Sequence, residues 1–151
     1  MRPGRVISGG QTGVDRAALD AALALGIPCG GTVPKGRLAE DGPVPERYPM
    51  TEGPCEDYPA RTEANVRDSD ATLILALKTP LTGGTLLTRE LALRHDKPVA
   101  VVLLGSSDPA SGIRRFLDMT KPAVLNVAGP RESSCPGIAD LARRALIAAW
   151  T

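Results

Sequence analysis

The order of apolar runs, glycine-bearing turns and amphipathic stretches predicts an α/β fold: one Rossmann-like domain with an open, mostly parallel sheet and helices on both faces. Three observations carry this. Apolar runs at residues 5–8, 71–77, 99–104 and 123–127 alternate with stretches of helical periodicity. Several of those runs are unbroken rather than alternating, as in parallel strands covered on both faces. And after three of the runs the chain enters a polar, glycine-bearing turn: Ser8-Gly9-Gly10-Gln11-Thr12-Gly13, Thr82-Gly83-Gly84-Thr85 and Gly129-Pro130-Arg131-Glu132-Ser133.

In order, the short β run 5–8 hands over to a helix on which Val14, Ala18, Ala21, Ala22 and Leu25 form one stripe, widened by Leu19 and Leu23. Gly26 followed by Ile27-Pro28 closes that helix. At its start, Thr12 and Asp15 stand three apart and predict a variant of the capping box. A short strand is expected at 27–29. From about 30 to 59 periodicity vanishes and Gly and Pro dominate. A loop of that length inside a compact domain is usually functional, and a structured lid or pocket wall is expected there. A short helix over 60–67 places Arg61 and Asn65 one turn apart on one face. Residues 71–77 read as a buried strand, and 82–95 as a helix opened by the second Gly-Gly turn. The unbroken apolar run 99–104 predicts the centre of the sheet. A helix over 108–119, a strand over 123–127 and a helix over 137–150 complete a single domain of residues 1–151 with a Gly/Pro-rich insertion at about 30–59.

Composition narrows the function. A net charge of +1 gives no electrostatic case for nucleic acid or a membrane surface as partner, and an aromatic content of 3% supplies no base-stacking platform. No apolar run approaches the roughly 20 residues of a membrane span, and the early first strand leaves no space for a signal peptide. The expected location is the cytoplasm. Cys29, Cys55 and Cys135 are scattered and form no C-x-x-C pair, so neither a zinc site nor a disulfide framework is expected. The single histidine, His95, lies near the end of a helix, where a cation complements the dipole.

In open parallel sheets, ligands bind beyond the carboxyl ends of the strands. All three glycine turns leave such ends, so they are expected to share one edge and to offer unpaired amides at helix N-termini, a natural anion site. The expected binding residues are Gly9, Gly10, Gln11, Thr12, Gly13, Arg16, Lys35, Arg61, Asn65, Thr82, Gly83, Gly84, Thr85, Gly129 and Arg131. Arg16, Arg61 and Arg131 would supply the counter-charge for a phosphate. Lys35 and Arg37 would face the first turn from the insertion. Asp15 and Glu90 are the carboxylates available for catalysis if the chain is an enzyme. No metal-binding set is expected.

Gly9-Gly10-Gln11-Thr12-Gly13-Val14-Asp15-Arg16, Pro34-Lys35-Gly36-Arg37, Ala39-Glu40-Asp41-Gly42, Asn65-Val66-Arg67-Asp68-Ser69-Asp70, Leu81-Thr82-Gly83-Gly84-Thr85 and Asn126-Val127-Ala128-Gly129-Pro130-Arg131-Glu132-Ser133 resemble, in order and spacing, the putative molybdenum carrier family. The resemblance implies a Rossmann-like fold of the group that includes molybdenum cofactor carriers and lysine-decarboxylase-like phosphoribohydrolases, a pocket for a nucleotide or phosphorylated pterin such as molybdopterin, and a homo-oligomer. Those phosphoribohydrolases carry Pro-Gly-Gly-x-Gly-Thr-x-x-Glu. Here Glu90 keeps its offset from Gly83-Gly84, but Thr82 replaces the proline, and Leu86 and Leu87 stand where the signature has Gly and Thr. Two kinds of function stay open: a binding or carrier protein for molybdenum cofactor or a related phosphorylated ligand, and, as alternatives, a nucleotide N-glycosidase or a nucleotide-sensing regulatory module.

Overall fold

The computed structural model describes residues 1–151. Its elements are β1 (Arg5–Ile7), α1 (Val14–Leu25), β2 (Cys29–Gly30), β3 (Thr32–Val33), β4 (Thr51–Glu52), α2 (Tyr58–Arg67), β5 (Ala71–Ala76), α3 (Gly83–Arg94), β6 (Val99–Leu103), α4 (Pro109–Thr120), β7 (Val124–Ala128) and α5 (Ile138–Trp150). Five strands form one parallel sheet in the order β2-β1-β7-β5-β6. Helices α1, α4 and α5 pack together against one face, and α2 and α3 pack together on the other. This is the expected α/β architecture, and β5, buried at every position from Ala71 to Ala76, has the apolar continuity that two covered faces require.

Two features of the sheet differ from expectation. The apolar run predicted at the sheet centre is β6, an edge strand, and Val99 to Val102 are only half-buried. Both α3 and α4 pack against it; an unbroken apolar sequence records covered faces, and an edge strand with a helix on each side has those too. The strand expected at 27–29 is displaced to Cys29–Gly30, because Pro28 lacks an N–H and contributes only its carbonyl, which accepts from Val6 at 2.9 Å.

The strand order carries a topological statement. Read from β5 onward through β6 and β7 and then to β1 and β2, the order becomes 2-1-3-4-5, that of a doubly wound flavodoxin-like sheet. The chain is therefore arranged as if the ends of such a sheet had been joined ahead of β5 and the chain opened instead between α5 and β1. The chain ends lie side by side: the Arg2 guanidinium donates to the Trp150 carbonyl at 2.7 Å and to the Leu25 carbonyl at 3.0 Å. The chain leaves β5 outward to β6 and then crosses back over β5 to β7, so the β5/β7 boundary is the switch point at which a crevice is expected.

The segment between β2 and α2 contains the two-stranded parallel pair β3–β4 and is fastened to the body by its own core residues. Val33, Val44 and Tyr48 are fully buried members of the main core. The Tyr48 hydroxyl donates to Asp20 of α1 at 2.6 Å, and Arg37 is spent on the carbonyls of Val44, Pro45 and Tyr48. No helix is long and apolar enough to cross a membrane.

Candidate functional site

A cleft of about 630 Å³ opens at the carboxyl ends of β5, β7 and β1, where the topology places the switch point and within the size range of small-ligand sites. Its walls come from all three glycine turns, but not in equal measure.

The first turn is closed. The Gly10 N–H donates to the Ser8 hydroxyl at 3.3 Å, the Thr12 N–H to Gln11 Oε1 at 3.1 Å, and the Val14 N–H to the Pro130 carbonyl at 3.2 Å. Gly13, with φ of 79°, precedes α1 with no side-chain cap, and a Cβ there would overlap the Pro130 carbonyl oxygen. The expected Thr12/Asp15 capping box does not form: the Thr12 hydroxyl donates to Glu40 and accepts from the Glu132 N–H, while Asp15 turns to Arg61. Arg16 is likewise committed, in a two-pronged pair with Asp41 at 2.5 and 3.1 Å and a bond to the Gly10 carbonyl. Of the anion site expected at Gly10–Gly13, the Gly10 and Thr12 amides are thus taken by the chain's own acceptors, and the Arg16 counter-charge is spent on Asp41. Gly10, Thr12, Gly13 and Arg16 stand behind the cleft wall, and Gly9, Gln11 and Asp15 line it.

The second turn is open. Thr82, Gly83, Gly84 and Thr85 all line the cleft. Thr82 offers no side-chain cap to α3, and the N–H groups of Gly83, Gly84 and Thr85 find no acceptor within the chain. Gly83 has φ of 56°, and the space beside both glycines is empty to 4 Å, so three amides with a helix dipole behind them face the cleft. Lys78, at the exit of β5, and Arg131, at the exit of β7, line the same space. Arg131 is only loosely engaged: its side chain is 42% exposed, its one ion pair is with Glu40 at 3.9 Å, and it lies over the Tyr58 ring at 5.8 Å. Gly129 serves packing, since a Cβ there would strike the Leu75 carbonyl and the Val14 side chain.

The floor holds a buried ion pair. Arg61 Nη1 donates to Asp15 Oδ2 at 2.9 Å, with side chains 13% and 6% exposed, and Gly9 makes it fit, because a Cβ there would coincide with the guanidinium. Burial pushes the Asp15 carboxyl above its ordinary value, against the opposing pull of Arg61. Asn65 lines the cleft, yet both ends of its amide clamp the Thr32 backbone, at 2.8 and 3.0 Å. Two donors in the cleft wall, Gln11 Nε2 and Arg61 Nε, are buried without a partner.

The placements expected for Lys35, Arg37 and Glu90 fail, whereas that of His95 at a helix end is found. Lys35 is exposed and lies outside the cleft: Val33 of β3 is the residue that lies against Gly10 of the first turn, and the Lys35 N–H is bonded to the Cys55 carbonyl at 2.8 Å; Arg37 is used internally as described. Glu90 is exposed on α3, outside the cleft: two turns into the helix its side chain points to solvent, which leaves Asp15 as the one of the two expected catalytic carboxylates that lines the cleft. His95 caps α3 at its carboxyl end and meets Glu63 at 3.2 Å. Sequence reading missed Glu40 as an organiser. Its carboxylate accepts from the Ser133 N–H at 3.2 Å, the Ser133 hydroxyl at 2.5 Å and the Thr12 hydroxyl, bonds that hold its carboxyl below the ordinary range. It thereby ties the insertion to the first and third turns. Lys78 was also missed, although its position directly after a buried strand was the available signal.

Among cleft-lining side chains, Lys78, Arg61 and Arg131 face the single carboxylate of Asp15, so the space favours an anion. Comparison with known proteins agrees with the fold and the permuted order. Residues 6–150 match the family described as the circularly permutated YpsA SLOG family. The chain is similar to a crystal structure of a putative molybdenum carrier protein from Syntrophus aciditrophicus SB, with 45% identity, 99% of this chain and 96% of that chain covered, and a TM-score of 0.95. No curated protein matches the chain.

Proposed function

We propose, from the premise that this chain belongs to the circularly permutated YpsA SLOG family, that it is a binding or carrier protein for a phosphorylated small molecule. The observation that carries this reading is the open start of α3: three unpartnered amides of Gly83, Gly84 and Thr85 facing a cleft lined by Lys78 and Arg131. A phosphoryl group would accept from those amides, with Arg131 as its guanidinium partner and Lys78 as a second positive charge. The rest of the ligand would extend across the β5/β7 crevice towards Gln11 and Asp15.

The solved relative is named a molybdenum carrier, and the donor set here fits the phosphate and ring of molybdopterin. Gly83–Thr85 and Arg131 would hold its phosphate, and the unpartnered Gln11 Nε2 would meet its polar ring. In that cofactor the metal is bound by the pterin's own sulfurs, so it would bring its metal with it. A cytoplasmic homo-oligomer is part of the same reading.

The test is native mass spectrometry of protein purified without added ligand, together with titration calorimetry against inorganic pyrophosphate. The expected result is a retained mass in the nucleotide or pterin range, or saturable pyrophosphate binding. Protein that carries nothing and binds neither pyrophosphate nor any nucleoside monophosphate overturns the proposal.

A further inference from the structure

We infer that Asp15, Arg61 and Gln11 form a reader for the ring edge of a 2-amino-4-oxopyrimidine, the edge shared by guanine and pterins, so that the cleft selects this class over adenine-type ligands. The inference rests on the reading of the cleft as a phosphorylated-ligand site and adds the identity of the ring.

The three side chains lie on one wall of the cleft, opposite in charge and in bonding capacity. Asp15 accepts from Arg61 Nη1 at 2.9 Å and from the Gln11 backbone N–H, which leaves about two of its four lone-pair sites to spare. Gln11 has a fixed orientation: its Oε1 accepts from the Thr12 N–H at 3.1 Å and the Glu40 N–H at 2.9 Å, so its amino end is the free one. That amino group is an unpartnered buried donor on a residue 5% exposed, and Arg61 Nε is a second one. Buried donors without acceptors are rare in folded proteins, and a ligand acceptor removes their cost.

The wall therefore offers a carboxylate acceptor beside donors that need acceptors. A guanine-type edge supplies the complement: adjacent ring N–H and exocyclic amino donors for Asp15, and a carbonyl for Gln11 or Arg61. Adenine gives Asp15 one amino donor and sets the lone pair of its neighbouring ring nitrogen against the second carboxylate oxygen, a repulsive pairing. Inosine-type rings keep the N–H and carbonyl but lose the amino group.

The test compares GMP, IMP, AMP, neopterin 3′-phosphate and inorganic pyrophosphate by titration calorimetry on the wild-type protein. GMP or neopterin phosphate is expected to bind at least about tenfold tighter than AMP, with IMP between them, in line with the discrimination that bidentate edge contacts and unpaired buried groups produce. Gln11→Ala and Asp15→Asn are expected to erase that preference while pyrophosphate affinity is retained. The wild-type series alone keeps the inference testable should Asp15→Asn fail to fold. Equal affinity for GMP and AMP alongside pyrophosphate binding overturns the ring inference and leaves the phosphate reading standing. Absence of binding by all five overturns both.

Discussion

Arg61 reaches Asp15 across the space that Gly9 leaves, and the pair sits at the bottom of the cleft with both side chains largely out of water. Removing one partner of such a pair strands the other, so Arg61→Ala is expected to cost on the order of 3 kcal/mol. The pH dependence has a defined sign. Asp15 has a folded pKa above its ordinary 3.8, so ionising it opposes folding, and stability falls as pH rises upward from about 3.8 through the folded value. Without Arg61 the carboxyl rises further, and the deficit of the variant relative to wild type should shrink towards pH 4 and widen towards neutrality. Urea unfolding of both proteins at pH 4, 5.5 and 7 checks this. At this scale the sequence was a partial guide. Arg61 was identifiable because it stands in the first turn of the helix predicted over 60–67, one turn from Asn65 on the same face, but its partner was not: Asp15 has the position of a capping residue, and only the tertiary approach of α2 redirects it.

Two turns of nearly the same composition, one before α1 and one before α3, have opposite fates. Ser8-Gly9-Gly10-Gln11-Thr12-Gly13 is sealed because the third turn leans on it, with the Pro130 carbonyl on the Val14 N–H. Thr82-Gly83-Gly84-Thr85 follows the inner strand β5, nothing leans on it, and its amides stay free. Local sequence fixes the geometry of a glycine corner but not what packs over it, which explains why Gly10, Gly13 and Arg16 were expected in the cleft and stand behind it. The same limit applies to Glu40: a carboxylate in an aperiodic loop carries no signal until the loop is folded back against Thr12 and Ser133. If the start of α3 is the anion site, Arg131→Ala should lower pyrophosphate affinity about tenfold, the size of one lost charge-assisted contact. Its fold stability should stay within about 0.5 kcal/mol of wild type, as for a surface change away from core and caps. Calorimetry and thermal unfolding read the two quantities separately.

For the whole molecule, the alternation of strands and helices made the fold class legible, whereas the strand order was not. Nothing in the local periodicity of 99–104 distinguishes an edge strand with helices on both faces from a central one. The observed order has a direct consequence for chain connectivity. The Arg2 bonds to Trp150 and Leu25 hold the chain ends together, and the stretch between α2 and β5 is where the doubly wound order would begin. A permutant in which a short Gly-Ser linker joins residue 151 to residue 1, with new ends between residues 69 and 70, is expected to keep the far-ultraviolet dichroism and a single cooperative melt. A chain that fails to fold would show that the junction at 68–70, where Lys97 bonds the carbonyls of Arg67 and Ser69, is indispensable.

The clasp of Glu40 on Ser133 and the bond of Glu132 to Thr12 join positions 93 and 120 residues apart, and β1 has β7 as its inner neighbour. On the ribosome the amino-terminal third therefore emerges without the strand that must flank it, and waits until β7 and α5 have been made. The cleft is among the last parts of the molecule to exist. A ligand of the proposed kind would therefore load onto the completed polypeptide rather than onto the growing chain.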